Sequence, residues 1–495
     1  MVSISISDIV DATGATLLCG SGERVVRGVT TDSRAVEPGS AFVGVAGARV
    51  NGNRFASQAI EAGAAAVVLS EEPAEGLLEL AGEHGCAVLL AAHEGVPTSD
   101  DVEVTDDDAT EFLLRLAAAW RRRNAHWVVV GVTGSVGKTT TKDMLACALA
   151  TSFPTHATKG NFNNLLGLPL TLLAASPDDR VVVAEMGMNH AGELTRLTEV
   201  ARPTVALVTN VGTSHIGFLG SREAIACAKA EIVGGMTATA EAEGPVRPCL
   251  VLTDDNDFGT YIEERFCAPA GVEVVRVGTS DASAVRAEGI ALDGEGKPSF
   301  TLAFADGWTR EVTLDAPGRH VVSDFLLAMA IADRVGADRA LAADAVAHMP
   351  QTHMRLEVLG APGRPRVIDD SYNASPNSMA AALDVLCSMA CDGRRVAVLG
   401  EVGELGDEAS RLHGYMGAYA AAKPLDLLVF VGGEHAREMA EAARTMGFSE
   451  DRLEVLPTAQ AALDTIGPVL AEGDLVLAKG SRSVGLDVFA KGVLA

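Results

Sequence analysis

The residues best placed to do chemistry lie together in Val128-Val-Val-Gly-Val-Thr-Gly-Ser-Val-Gly-Lys-Thr-Thr-Thr141. A β-rich apolar run ends in a glycine loop, then Lys138 and Thr139, then a helix-compatible segment. That order builds a phosphate cradle. Gly134 and Gly137 let the backbone approach a polyphosphate closely, and amides at the following helix N-terminus point at it. Lys138 would neutralise the β- and γ-phosphates, and the Thr139 hydroxyl would ligate Mg²⁺. Val132 stands where the full G-x-x-x-x-G-K-[ST] pattern begins with glycine, which leaves the shorter G-x-x-G-K-T core. The other reading is an ordinary glycine-rich turn between strand and helix. The cradle points to a nucleoside triphosphate, ATP, without saying what the phosphate is used for.

Two more strand ends carry groups that suit the neighbourhood of such a loop. Glu185 closes the apolar run Val181-Val-Val-Ala184. Ligands of open α/β sheets collect beyond the carboxyl ends of the strands, and a carboxylate there is a good Mg²⁺ ligand. A solvated strand-end carboxylate is the alternative. Val205-Ala-Leu-Val-Thr-Asn-Val-Gly-Thr-Ser-His215 repeats the logic of strand, polar strand end and loop histidine. A lone loop histidine is usually just exposed. Lys229 then sits amid alanines in a helical stretch. A lysine in small apolar surroundings is more easily deprotonated. Taken singly, such a lysine more often keeps its head in water at the surface.

These groups need a frame, and the chain's 495 residues suit about three domains. The fold class expected is α/β throughout. Residues 1–105 alternate short strands, such as Val25–Val29 and Ala65–Leu69, with Ala-rich helices, such as Phe55–Ala62. Thr105-Asp-Asp-Asp108 then caps a helix over 109–123, with acids at its N-terminus and arginines at its C-terminus. In residues 106–350, strands at 127–132, 181–185, 205–209 and 249–253 alternate with helices. That is a parallel sheet with the glycine loop after its first strand. Residues 271–315 read as an antiparallel excursion, and a helix over 321–335 follows. Residues 351–495 restart the pattern, with strands at 367–368, 395–399, 427–431 and 475–478. This third unit is Rossmann-like but lacks a convincing G-x-G-x-x-G.

Composition narrows the partners. The chain is 48% hydrophobic and 21% charged, as expected of a globular protein with sizeable cores. A net charge of −27 argues against nucleic acid and anionic membranes. Any phosphate site must be a local exception to that field. The eight cysteines form no C-x-x-C pair, which fits reduced thiols and a cytoplasmic setting. Cys387 and Cys391 read as two small core residues at helical spacing. No apolar run reaches about 18 residues, so no membrane insertion is expected, and the N-terminus lacks a basic and apolar leader.

Together the pieces resemble a family. The glycine loop, Thr158-Lys-Gly-Asn-Phe-Asn-Asn-Leu-Leu-Gly-Leu-Pro169, Glu185-Met-Gly, Thr209-Asn to His215 and Ala228-Lys-Ala-Glu-Ile232 resemble the Mur ligases. These are ATP-dependent amide-bond ligases of peptidoglycan precursor synthesis. The resemblance runs on through Ala316-Pro-Gly-Arg-His320, Arg355-Leu-Glu, Leu399-Gly-Glu-Val-Gly-Glu-Leu-Gly406 with His413, and Lys479-Gly-Ser-Arg482. It covers nearly the whole chain in the right order. Asp369-Asp-Ser-Tyr-Asn-Ala-Ser-Pro-Asn-Ser-Met379 is similar to the branch that adds D-alanyl-D-alanine. The Asp-Asn-Pro-Arg signature of the branch adding diaminopimelate or lysine is absent.

The resemblance implies roles. Thr133, Gly134, Ser135, Gly137, Lys138, Thr139 and Thr140 would hold ATP, joined by Arg319, Arg355 and Asp370 from later in the chain. Thr139 would hold one Mg²⁺, Glu185 and His215 a second metal, and a carbamylated Lys229 would support Mg²⁺, while Lys138, Glu185, His215 and Lys229 would be catalytic. Asp32, Ser33 and Arg34 belong to a uridine-diphosphate-binding module, for which a set of turns is the plainer reading. Asn161, Asn163 and Asn164 would contact the sugar or pyrophosphate, and Tyr372 and Asn373 would lie near the incoming dipeptide. The substrates implied are UDP-MurNAc-tripeptide and D-alanyl-D-alanine, acted on by a monomer. A folylpolyglutamate synthase-like ligase is the runner-up. Two departures from the family pattern fall where the adenine is expected: Val321 and Asp324 replace asparagines, and Thr253 replaces another.

Overall fold

The computed structural model describes residues 1–47, 50–92, 108–240 and 246–495. The expected Thr105–Asp107 cap and the boundary at 105 lie outside the described residues.

A nine-stranded sheet dominates. Its order runs Thr309–Thr313, Pro298–Phe304, Val285–Leu292, Glu273–Gly278, Cys249–Thr253, Val205–Val208, Val128–Thr133, Val181–Glu185 and Thr155–Ala157. The last six are parallel, and Val285–Leu292 joins them in parallel before pairing antiparallel with Pro298–Phe304. The stretch 271–315 pairs antiparallel among its strands from Val285 onward, as expected, whereas Glu273–Gly278 pairs in parallel. Its strands extend the same sheet, because Glu273–Gly278 pairs with Cys249–Thr253 and offers its other edge to the next strand.

The central strands are Val-rich because both faces are covered. Alternation divides them between two cores. Val130, Val132, Val183 and Leu207 pack with the helices Lys138–Ala150 and Val321–Val335. Val129, Val182, Ala206 and Val208 pack on the opposite face with Asp108–Arg123, Gly167–Ala174 and Glu193–Ala201. Parallel pairing sends the ends of Val128–Thr133, Val181–Glu185 and Val205–Val208 to one edge, which gathers the site.

The C-terminal unit is a six-stranded sheet ordered Glu357–Leu359, Arg366–Asp370, Leu475–Lys479, Arg395–Gly400, Leu427–Val431 and Leu453–Leu456. All pairs are parallel except the first. The N-terminal unit is a five-stranded sheet of shorter strands. The single strand expected over Val25–Val29 is broken at Gly28, whose φ of 90° turns the chain. Val25–Arg27 pairs with Ser3–Ser5 and Val29–Thr30 joins the five-stranded sheet. Cys391 lies beyond the end of the helix Pro376–Ser388, so it does not share a helix face with Cys387. All eight cysteines are free thiols. Among the described residues no helix is long and apolar enough to cross a membrane.

Candidate active site

Gly134 and Gly137 adopt φ of 146° and 87° at the end of Val128–Thr133, a region side chains rarely enter. A Cβ at Gly134 would collide with the Thr209 hydroxyl. The loop is held from the next strand end: Ser135 N donates to Asn210 O (3.1 Å) and Val136 N to Asn210 Oδ1 (3.1 Å). Ser135 Oγ accepts from Gly212 N at 2.9 Å. No side chain caps the helix Lys138–Ala150, so its first amides face the loop uncapped.

Lys138 is the first residue of that helix and half-buried, not a side chain on an exposed loop. Its Nζ donates to Gly134 O at 2.7 Å. Burial lowers its pKa, and Glu185 opposes the shift. Thr140 lies partly buried on the same turn. Thr133 is buried, and its hydroxyl has no hydrogen-bond partner.

Glu185 is 2% exposed, although it is a carboxylate. Its Oε1 accepts from Asn163 Nδ2 (2.8 Å) and Thr139 Oγ1 (3.3 Å). Its Oε2 is buried and unpartnered. A buried carboxylate oxygen left bare is expensive unless a cation meets it. Lys229, on the helix Arg222–Ala230, is 1% exposed. Burial pushes its ammonium well below the usual lysine range, Lys138 pushes the same way, and no carboxylate opposes them. Hard oxygen donors from Glu185 and Thr139, with the Glu185 Oε2 unpartnered, fit Mg²⁺.

His215 starts a short helix with φ of 63°. Its Nδ1 stands 2.7 Å from Glu404 Oε2. The His215 contact holds the Glu404 carboxyl below its usual range. Glu185 and His215 thus have separate partners. Among the described residues no cluster of three or more His, Cys, Asp or Glu stands assembled.

A second cluster comes from the C-terminal sheet. Lys479, 1% exposed at its strand end, donates to Asp370 Oδ2 (2.6 Å) and Asn373 O (3.2 Å). Burial raises the Asp370 pKa while Lys479 lowers it. The Arg355 guanidinium lies 4.5 Å over the Tyr372 ring, which brings Arg355, Asp370, Tyr372 and Asn373 together. Arg319 is exposed just before the helix Val321–Val335.

The substrate-side expectations separate. Asn163 reaches Glu185, whereas the Asn164 Oδ1 accepts from Leu166 N and Gly167 N and so holds the start of a helix. Asn161 is exposed, with its carbonyl accepting from Asn163 N at 2.8 Å. Asp32 and Arg34 pair at 2.7 Å, and the guanidinium holds the Asp32 carboxyl at about 2. Ser33 donates to Gln58 at 3.0 Å.

Glu404, Lys479 and Thr158 had no role in the sequence reading, and Asp324, read as a departure near the adenine, lies against the phosphate loop. Glu404 and Lys479 sit inside motifs quoted above, and their signal was a charge beside glycines at a strand end. Thr158 accepts from Glu185 N at 3.0 Å, and Asp324 binds Thr141 at 2.9 Å. Neither contact is local in sequence.

The comparisons with known proteins agree along the chain. A family model described as the Mur ligase middle domain matches residues 132–332. The Mur ligase glutamate ligase domain matches residues 354–482, and the Mur ligase family catalytic domain matches residues 25–121. A UDP-N-acetylmuramoyl-tripeptide--D-alanyl-D-alanine ligase of Bacillus subtilis (strain 168) is 32% identical, covering 100% of this chain and 99% of that one. The crystal structure of MurF from Acinetobacter baumannii matches with a TM-score of 0.83 at 28% identity, covering 100% and 99% of the two chains. Folylpolyglutamate synthase of Mycobacterium tuberculosis covers 76% of this chain with a TM-score of 0.58 at 16% identity, a likeness of fold alone.

Proposed function

This chain belongs to the Mur ligase family, and we infer from that premise that it joins D-alanyl-D-alanine to UDP-N-acetylmuramoyl-tripeptide. The protein is an amide ligase of peptidoglycan precursor synthesis. The observation that carries this is the likeness, over the full length of both chains, to the Bacillus subtilis ligase. The folylpolyglutamate synthase reading rests on a distant match.

The reaction we assign has two steps. The terminal carboxylate of the tripeptide attacks the γ-phosphate of ATP, which forms an acyl phosphate and releases ADP. The amine of D-alanyl-D-alanine then attacks the acyl carbon, and phosphate leaves. The glycine loop and Lys138, with Thr133, Ser135, Thr139 and Thr140, would hold the triphosphate. Arg319, Arg355 and Asp370 would complete the nucleotide site. Thr139, Glu185, His215 and Lys229 would hold Mg²⁺, which supplies charge neutralisation between carboxylate and triphosphate. His215 must leave Glu404 to do so. Lys229 is suited to carbamylation: a neutral amine attacks CO₂, an N–C bond forms and a proton leaves to water.

The division into 1–105, 106–350 and 351–495 is assigned to UDP-substrate, ATP and dipeptide in that order. Asp32, Ser33, Arg34, Asn161, Asn163 and Asn164 would serve the UDP substrate, and Tyr372 and Asn373 the dipeptide. A monomer working in the cytoplasm completes the reading. Closing the site should exclude water from the acyl phosphate.

One assay tests it. ADP release should require both UDP-MurNAc-tripeptide and D-alanyl-D-alanine, with neither diaminopimelate nor L-lysine replacing the dipeptide. Turnover with a folate and glutamate instead would overturn the assignment.

A further inference from the structure

Asp324 has no part in the chemistry above. It lies on the first turn of the helix Val321–Val335 and is 8% exposed. Its Oδ1 is 2.9 Å from Thr141 Oγ1 and 2.6 Å from where a Cβ on Gly137 would stand. The carboxyl therefore sits directly against the phosphate loop, where only glycine leaves it room.

The Thr141 hydroxyl is shared. It also lies 2.9 Å from Gly137 O. A hydroxyl carries one proton to donate. If that proton goes to Gly137 O, the hydroxyl can only accept from Asp324, which must then be protonated. If it goes to an ionised Asp324, Gly137 O keeps only the Thr141 amide, and an anion with that single hydroxyl bond lies under the triphosphate cradle.

The charges on the packed elements are engaged elsewhere. On the helix Lys138–Ala150, Lys138 bonds Gly134 O and Lys142 pairs with Asp143. Asp254, after the strand Cys249–Thr253, binds the amides of Thr279 and Ser280. On the helix Arg339–Ala347, Arg339 pairs with Asp306 and Asp333, and Asp344 with Arg310. Glu273, Arg276 and Arg286 on the strands beneath have ion pairs of their own. Burial pushes His320, at the start of Asp324's helix, down to about 4, so it is neutral.

We propose that Asp324 holds a proton whenever nucleotide occupies the phosphate loop, so that nucleotide binding takes up a proton at this carboxyl. Asp324 is then a positioning residue, which acts through Thr141 and Gly137. Burial raises its carboxyl to about 7, against the Thr141 hydrogen bond, so the free protein is divided between the two forms near neutrality. Added phosphate charge favours the neutral form further. The protonated form binds nucleotide tighter, so affinity falls as pH rises through the free-state value, up to about tenfold per pH unit.

The inference rests on the loop being the ATP site. The test is calorimetry of ADP with Mg²⁺ in buffers of different ionisation enthalpy, using the full chain. At pH 8, where the nucleotide phosphates are ionised, wild type should take up a large fraction of one proton. Asp324→Asn should take up almost none, and its affinity should fall less than wild type's between pH 6.5 and 8.5. Zero proton uptake by wild type at pH 8 overturns the proposal without reference to any variant. Parallel pH profiles in the two proteins overturn it as well. Failure of ADP to bind at any pH would instead remove the ATP site on which it rests.

Discussion

Lys138 is half-buried and Lys229 fully buried, with different consequences. Lys138 keeps one bond, to Gly134 O, and little of the fold depends on it. Lys138→Ala should therefore unfold at nearly the wild-type temperature while kcat falls at least about a thousandfold, as loss of phosphoryl charge stabilisation usually requires. Turnover within tenfold of wild type would remove Lys138 from the mechanism. Lys229 is a deeper commitment. Its pKa is depressed on folding, so between the folded and unfolded values the folded state binds fewer protons than the unfolded chain. Stability should rise with pH through the window between the depressed folded value and the ordinary lysine value. Lys229→Met removes that penalty. It should raise the melting temperature at pH 7 in CO₂-depleted buffer while abolishing turnover. Lys229→Arg should be equally inactive, since a guanidinium cannot carry CO₂. An active Arg variant would defeat the carbamate reading.

At the scale of elements, the helix Ala409–Ala421 holds the loop that carries Glu404. His413 Nε2 accepts from Val402 N at 3.0 Å while Nδ1 faces Ala409 O at 2.7 Å, so the ring is neutral with its proton on Nδ1. His435 stacks on it at 4.5 Å. Burial holds the His413 pKa below its ordinary value of 6.5. A depressed histidine contributes stability that is complete above its unfolded pKa and is lost as pH falls toward the folded one. Wild type should lose stability between pH 6.5 and 5, and His413→Gln should lose less over that interval, as read by urea unfolding. Equal losses would show that other groups govern acid sensitivity. The variant should also be weaker at pH 7, by about 1–3 kcal/mol, if Val402 N is left unpaired.

Across the whole molecule, the central and C-terminal units touch backbone to backbone. Gly217 N donates to Glu404 O at 3.0 Å. A Cβ on Gly217 would meet Gly406 N at 2.5 Å and Glu404 O at 2.8 Å. Neither backbone can yield without moving a domain. Gly217→Ala should leave circular dichroism unchanged, enlarge the radius of gyration in small-angle scattering and lower kcat at least about tenfold. A variant with wild-type scattering and turnover would show that this contact does not set the closed arrangement.

Much of this protein is local and was therefore legible in its residues. Glycine spacing, a Lys-Thr pair and an apolar strand before them are consecutive, so the phosphate loop appears in the sequence with its chemistry attached. The strands at 181–185 and 249–253 follow from short apolar runs, and the helix over 321–335 from its long apolar content. The family likeness likewise needs only motif order. What the tertiary structure decided is what depends on pairing across distance. A strand-end carboxylate reads the same whether solvated or buried, and only the fold takes Glu185 to 2% exposure with one oxygen unpartnered. Alanines flank Lys229 in sequence, but full burial and the charge of Lys138 are what push its pKa down. His215 turned to Glu404, and Asp324 to Thr141 rather than to a surface, because sheet edges and helix ends from far along the chain meet there. Residue type limits what a group can do, and the dielectric and partners that choose among those options are long-range properties of the fold.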